Sequence, residues 1–428
     1  MKYFLLLLLI TSISLSAKIQ LIKKENSDSN TTLLVIGGIH GNEPGGYFAA
    51  SILATHYNIT SKNLWIVPNL NQESIRRDKR GVYGDMNRKF SVMKKGDKDT
   101  QIIKEIKETI LAKNVSLVLN LHDGHGFYRK EHEGSIFNPN AWGQTCVIDQ
   151  CDLKTEQPYG SLNDIAITVK NSINKKLLKK HHSFNVKNTN TKYHDEAMQL
   201  SLTYFSVTNN KPAFAVETSK NLSSLSQKVF YQLLAIEEYM KIMGIKFIRD
   251  FNFTEKEISK IITNYGNLSI NNNILLNLQN IKKSLSYIPI KLKNNVFNFS
   301  HPLGDIKKIN GKYLVYIGNK YITSLKPQYF KLTTNRQEKF DFVVDSEKVS
   351  LKNTSNIFVN ADFKVIKNKS HRVNIIGYHS KTAKDESGVT ISLKDMNKNY
   401  SIDRQHKVYR VEFYKNDEFC SMFMVHFK

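Results

Sequence analysis

The chain has 428 residues, 40% hydrophobic and 11% aromatic, with a formal net charge of +24 and a pI of about 9.6. That length and apolar content exclude a disordered or fibrous chain and allow two or three domains with a sizeable core. The charge favours anionic partners. Lys, Asn and Ile abound throughout, as in a compositionally biased genome, and with no long basic block nucleic acid is not expected as a partner.

Met1-Lys2-Tyr3, a short apolar run from Phe4 to Ile10 and small residues around Ser14-Leu15-Ser16-Ala17 predict a secretory signal peptide over 1–17. An uncleaved anchor is the alternative. The apolar run is short for a bilayer span, and no later stretch is long and apolar enough for one. No cysteine marks a lipoprotein cleavage site. Export follows, with the periplasm the expected compartment and no membrane span after signal removal.

From Thr31 to about Lys246 strand-like and helical runs alternate, which predicts an α/β sheet with helices on its faces. Strands are expected at 33–39, 64–67, 115–121 and 213–217, and helices at 46–56, 100–112, 162–179 and 222–243. After Gly244 the composition changes. A short helix is expected at 255–265, followed by alternating runs separated by turn signals such as Asn310-Gly311. The polar stretch 332–339 reads as a linker before a second β-rich unit, whose size suits an immunoglobulin-like sandwich. The expected layout is a signal peptide (1–17), an α/β domain (18–246), a β-rich accessory domain (247–335) and a β-sandwich (336–428).

Chemistry concentrates at strand ends. The run Leu33-Leu34-Val35-Ile36 leads to His40-Gly41-Asn42-Glu43, and Leu117-Val118-Leu119-Asn120-Leu121 delivers His122. Two His and one Glu form the ligand set of a catalytic zinc site with a position open for water. His125 is a rival for His122, which immediately follows the apolar run. Asp123 either supports a ligand or is solvated, and the solvated reading is the plainer one. The run Pro212-Ala213-Phe214-Ala215-Val216 carries Glu217, a carboxylate suited to act as general base. Arg80-Gly81-Val82-Tyr83-Gly84-Asp85-Met86-Asn87-Arg88 sets two arginines and an asparagine in a Gly-containing loop, able to clamp a carboxylate or stabilise an oxyanion. Arg76 and Arg77 compete with Arg80. Cys146 and Cys151, five apart, form a candidate local disulfide in an oxidising compartment, leaving Cys420 over in a strand.

The ordered set His-x-x-Glu, upstream Arg with Asn-Arg, strand-end His and strand-borne Glu resembles the zinc metallocarboxypeptidase superfamily. It is similar in particular to the periplasmic peptidoglycan D,L-carboxypeptidases that set helical cell shape. The resemblance covers roughly the first 245 residues, and the two β-rich modules behind also look similar. It implies a metallocarboxypeptidase-like mixed sheet, Zn2+ on His40, Glu43 and His122, and Glu217 as catalytic base. Arg80 is implied at the scissile carbonyl, on spacing alone, and Asn87 and Arg88 at the terminal carboxylate. Asp85 is expected to brace that loop. Thr203, Tyr204 and Trp142 are implied near the departing residue, whereas His181, His182 and His194 have no reason to face the cleft. Relatives of the helical-shape type can replace the first histidine; here it is His40.

The implied activity removes terminal meso-diaminopimelate from a tripeptide stem, with muropeptides as substrates and cell-shape proteins as possible partners. Two other readings compete. An aspartoacylase-type amidohydrolase shares His-x-x-Glu and Asn-Arg, but lacks a reason for the signal peptide and tandem β modules. A non-catalytic peptidoglycan scaffold is opposed by the intact ligand and base residues.

Overall fold

The computed structural model describes residues 19–26, 29–155, 158–333, 338–380 and 384–428. The expected signal segment, 1–17, lies outside the described residues, as does half of the expected linker at 332–339, residues 334–337. Among the described residues no helix is long and apolar enough to cross a membrane.

A seven-stranded mixed sheet organises the first part of the chain. Its spatial order is Ile22–Lys24, Asn63–Val67, Thr32–Ile36, Val115–Gly124, Ala213–Ser219, Thr145–Ile148, Asn185–Asn188. The four central neighbours from Asn63–Val67 to Ala213–Ser219 run parallel. The Ile22–Lys24 strand and the last two run against them. Strands buried on both faces read as continuous apolar runs, and Thr32–Ile36 and Val115–Gly124 are buried along their whole length.

The helices Pro44–His56, Thr100–Leu111, Leu162–Asn174 and Leu225–Ile242 cover the faces. The third is shorter than the expected 162–179, and the chain beyond it turns through a short 3-10 segment at Lys180–His182. Gly45 and Gly46 let the Pro44–His56 helix sit directly on the central strand. A Cβ at Gly46 would lie 2.8 Å from the Leu121 carbonyl oxygen.

Strand pairing and the hydrophobic core continue across the expected boundary at 246/247. Phe247–Arg249 pairs antiparallel with Tyr57–Ile59, and the Glu255–Thr263 helix buries Ile258 and Ile262 in the same core. Beyond it lie a three-stranded and a four-stranded sheet, the latter ordered Ser284–Ile290, Lys320–Tyr329, Lys312–Ile317, Gly304–Ile309. Asn310 and Gly311 both take positive φ, the two-residue turn their sequence announces. The C-terminal sandwich has two four-stranded sheets enclosing a separate core around Phe340, Phe342, Phe413 and Phe423.

The candidate disulfide is not formed: all three cysteines are free. Cys146 is buried in the Thr145–Ile148 strand, whereas Cys151 is exposed beyond the strand's end. The Cys146 thiol interacts with Tyr239 in the core, whereas Cys151 Sγ accepts from Asn188 Nδ2 at 3.3 Å on the surface, so the two thiols face different neighbours. Cys420 is buried in the Glu418–Phe427 strand, as expected.

Candidate metal centre and substrate cleft

Parallel strands deliver their C-terminal ends to one edge, and chain order reverses between Thr32–Ile36 and its neighbour Val115–Gly124. Such switch points are where open α/β sheets bind ligands. The turn after Thr32–Ile36 carries His40 and Glu43. His122 sits near the end of Val115–Gly124. Glu217 is its register partner on the adjacent Ala213–Ser219 strand.

His40, Glu43 and His122 are buried and converge. The Nδ1 atoms of His40 and His122 lie 3.0 Å and 2.8 Å from the same oxygen, Glu43 Oε2. His40 Nε2 lies 2.8 Å from Asp85 Oδ1. The His40 contact and the Arg80 guanidinium outweigh the cost of burying Asp85 and hold its carboxyl well below the usual range. An ionised carboxylate only accepts, so His40 donates from Nε2, and its Nδ1 faces the Glu43 carboxylate. That Nδ1 is buried and makes no hydrogen bond. Burial opposes charging the His40 imidazole, but Glu43 and Asp85 outweigh it and raise its pKa, so the short contact to Glu43 calls for a proton on Nδ1 or a metal cation in its place. A divalent metal held by His40, Glu43 and His122 meets that demand, and these are the residues whose ligand atoms gather closely enough. Burial pushes the Glu43 carboxyl up, but the two imidazoles outweigh it and keep it well below its ordinary range. His125, the rival ligand, is exposed on the cleft wall and stands outside the cluster.

Asp85 also accepts from the Asn87 N–H at 2.9 Å and pairs with Arg80 Nε at 2.9 Å. One carboxylate therefore braces the loop and orients His40, an outer-shell role in metal sites. Arg80 Nη1 lies 3.3 Å from Glu43 Oε1. Arg76 is engaged by Glu73 and Asp305, and Arg77 by Glu73. Asn87 Oδ1 accepts from the Leu202 N–H at 2.9 Å, and Arg88 donates to the Asn87 carbonyl at 3.0 Å and to Met198 Sδ at 3.4 Å.

Asp123 is not solvated. It is fully buried, accepts from the Gly45 N–H at 2.8 Å and is hydrogen-bonded by Thr218. Glu43 occupies the N-cap position of the Pro44–His56 helix without capping it, because its carboxylate is turned to the histidines. Asp123 supplies the missing acceptor from a neighbouring strand.

A cleft of about 210 Å³ is lined by the metal cluster together with Arg80, Asn87, Arg88, Trp142, Thr203 and Glu217. Burial drives the Glu217 carboxyl up to about 7; Glu43 and Asp123 add to the shift, and His122 and Lys220 oppose it. Tyr204 does not line the cleft but packs against the hydrophobic core. On the Leu202–Thr208 helix one residue is a turn of about 100°, so Thr203 facing the cleft directs Tyr204 away. His182 is buried against Tyr231, and neither His181 nor His194 lines the cleft. Asn120 and Ala215, missed by sequence reasoning, line it two residues before His122 and Glu217. Strand periodicity carried that signal. Met198 and Lys220 gave none.

Residues 1–263 match the family of carboxypeptidases controlling helical cell shape, catalytic region. The chain belongs to this family. Residues 333–428 match the C-terminal domain of metallo-carboxypeptidases. The search of curated proteins found no match. Among solved structures, the apo form of cell shape determinant Csd4 from Helicobacter pylori is 33% identical, with a TM-score of 0.89 over 96% of this chain and 100% of that one. Its tripeptide-bound form matches with the same identity, coverage and TM-score. The mDAP-bound form, described as a D,L-carboxypeptidase, is 32% identical with a TM-score of 0.89 over 95% of this chain and 100% of that one. This family member is accordingly a metallocarboxypeptidase, and among its described residues His40, Glu43 and His122 form a group able to hold a metal ion.

Proposed function

We propose that the chain is a zinc-dependent periplasmic D,L-carboxypeptidase. It removes the terminal meso-diaminopimelate from the tripeptide stem of peptidoglycan, leaves a dipeptide and thereby influences cell shape. The observation that carries the reading is the convergence in one cleft of a three-ligand metal cluster, a strand-borne carboxylate and an Arg-Asn pair. The mDAP- and tripeptide-bound forms of the Helicobacter protein support the substrate class. The family and the N-terminal signal pattern support the periplasm. Two His and one Glu suit zinc.

Zinc on His40, Glu43 and His122 supplies Lewis acidity toward a carbonyl and acidifies a water. Glu217 takes the proton of the attacking water and passes it to the leaving amine; its elevated basicity in a water-poor setting suits both transfers. Arg80 stabilises the oxyanion from the cleft wall. Arg88 and Asn87 hold the terminal carboxylate, which limits cleavage to one residue. Thr203 and Trp142 contact the departing residue. The catalytic unit runs from 18 through the Glu255–Thr263 helix, and the two β-rich units behind it shape the cleft or dock to the wall.

The test is digestion of purified muropeptides by the zinc-loaded protein, followed by mass spectrometry, with Glu217→Ala as control. Loss of one diaminopimelate from tripeptides, absent in the variant, is expected. No mass change on any stem length with zinc bound overturns the reading.

A further inference from the structure

Lys220 stands on the cleft wall without a role in the chemistry above. It directly follows the Ala213–Ser219 strand, and its N–H donates to the Gly124 carbonyl at 2.7 Å. Its backbone is therefore fixed to the two strands that carry Glu217 and His122. Its ammonium lies 3.6 Å from Glu43 Oε1, and its side chain keeps 21% of its exposure. Among the described residues this ion pair is its polar side-chain contact.

Arg80 approaches the same oxygen, at 3.3 Å. Two cations thus converge on one oxygen of Glu43, while the other oxygen serves both histidines. With Glu43 engaged as a metal ligand its charge is shared, and it neutralises the two cations only in part. Arg80 retains Asp85. Lys220 keeps only the 3.6 Å contact to that shared Glu43 and the attraction of Glu217 across the cleft, and an anion from the substrate is a natural further partner.

The proposed substrate has one to offer. In a stem peptide whose penultimate glutamate is joined through its side-chain carboxyl, the α-carboxylate stays free, a few carbons from the scissile carbonyl on the acyl side. An ordinary α-linked peptide has no charge there. Building on the function proposed above, we propose that Lys220 is the recognition residue for this free α-carboxylate, and so selects γ-linked stems over α-linked peptides. The terminal carboxylate remains with Arg88 and Asn87, at the other end of the scissile unit.

The test compares two tripeptides that differ in one group, the penultimate α-carboxylate or its amide. Binding is measured by calorimetry to zinc-loaded Glu217→Gln protein, where no turnover intervenes, and KM and kcat are measured on the active enzyme. A charge-assisted hydrogen bond predicts roughly 10- to 100-fold tighter binding of the carboxylate form, expressed in KM. Lys220→Met abolishes that discrimination, and Lys220→Arg restores part of it. If Lys220 merely tuned Glu43 and Glu217, its removal would change kcat equally on both peptides. Equal affinity of the unsubstituted protein for the two forms overturns the proposal without any variant, so misfolding of Lys220→Met does not shelter it. Persistence of the discrimination in Lys220→Met overturns it too. Failure to bind or cleave either peptide overturns the functional reading itself, and this inference with it.

Discussion

At the scale of single residues, the cleft separates groups that do chemistry from groups that hold them. Glu217 lines the cleft and takes no part in the ligand cluster, so on the proposed mechanism Glu217→Gln removes the base without removing a ligand. Turnover is expected to fall by roughly 10²- to 10⁴-fold, with the metal stoichiometry unchanged by mass spectrometry of the native protein; loss of the metal would contradict the division of labour. Asp85 acts through His40. Asp85→Asn keeps the shape but weakens the acceptor for Nε2–H and the partner for Arg80. Metal affinity is expected to drop by about 10- to 100-fold, read by competition with a chromophoric chelator. Unaltered affinity would confine Asp85 to bracing the loop.

At the scale of elements, the close seat of the Pro44–His56 helix on the sheet places Glu43 beside His122. A Cβ on Gly45 would lie 2.3 Å from Asp123 Oδ1 and 3.0 Å from Thr218 Oγ1. Gly45→Ala therefore pushes the helix off its strand and disturbs the buried cap. We expect a loss of about 1–3 kcal/mol in denaturant unfolding, with weakened metal binding because Glu43 moves with the helix; an unchanged unfolding midpoint would show that the site does not depend on this packing. The strands, their terminal His and Glu residues and the alternation with helices were legible because each signal is local: an apolar run ends, and a ligand follows. What was not legible depends on partners far along the chain. Asp123 is a helix cap only because register sets it beside Gly45. Tyr204 and Thr203 are told apart only by helix phase. Lys220 is one of 62 Lys and Arg residues until folding sets it against Glu43. Phe247–Arg249, just past the boundary expected at 246, pairs with Tyr57–Ile59, a partner far back along the chain.

At the scale of the whole molecule, the catalytic unit and the first β-rich unit share one hydrophobic core, and polar contacts such as Arg76 with Asp305 reinforce the junction. His301 lies in this junction, its ring edge-on to Phe48 at 6.4 Å. Burial lowers its pKa to about 4, with the charges of His56 and Lys320 adding to the effect. His182, packed on Tyr231 in the catalytic unit, is lowered to about 4 as well, by burial first and then by His181 and Lys179. Both imidazoles are neutral in the folded protein where the unfolded chain, titrating near 6.5, already takes up protons. Between those values the unfolded state binds more protons, so stability is complete above about 6.5 and is lost as pH falls toward 4. Each histidine adds at most about one proton to the slope of unfolding free energy against pH. His301→Asn, which keeps a polar amide but cannot titrate, is expected to flatten that slope between pH 6.5 and 4 in denaturant titrations, while leaving stability at pH 8 nearly unchanged. A slope equal to that of the unsubstituted protein would mean that His301 is hydrated and that the junction does not loosen through it. Because His301 does not line the cleft, activity at neutral pH is a separate readout: it should survive His301→Asn, tying the acid sensitivity to the assembly of the units and not to the metal centre.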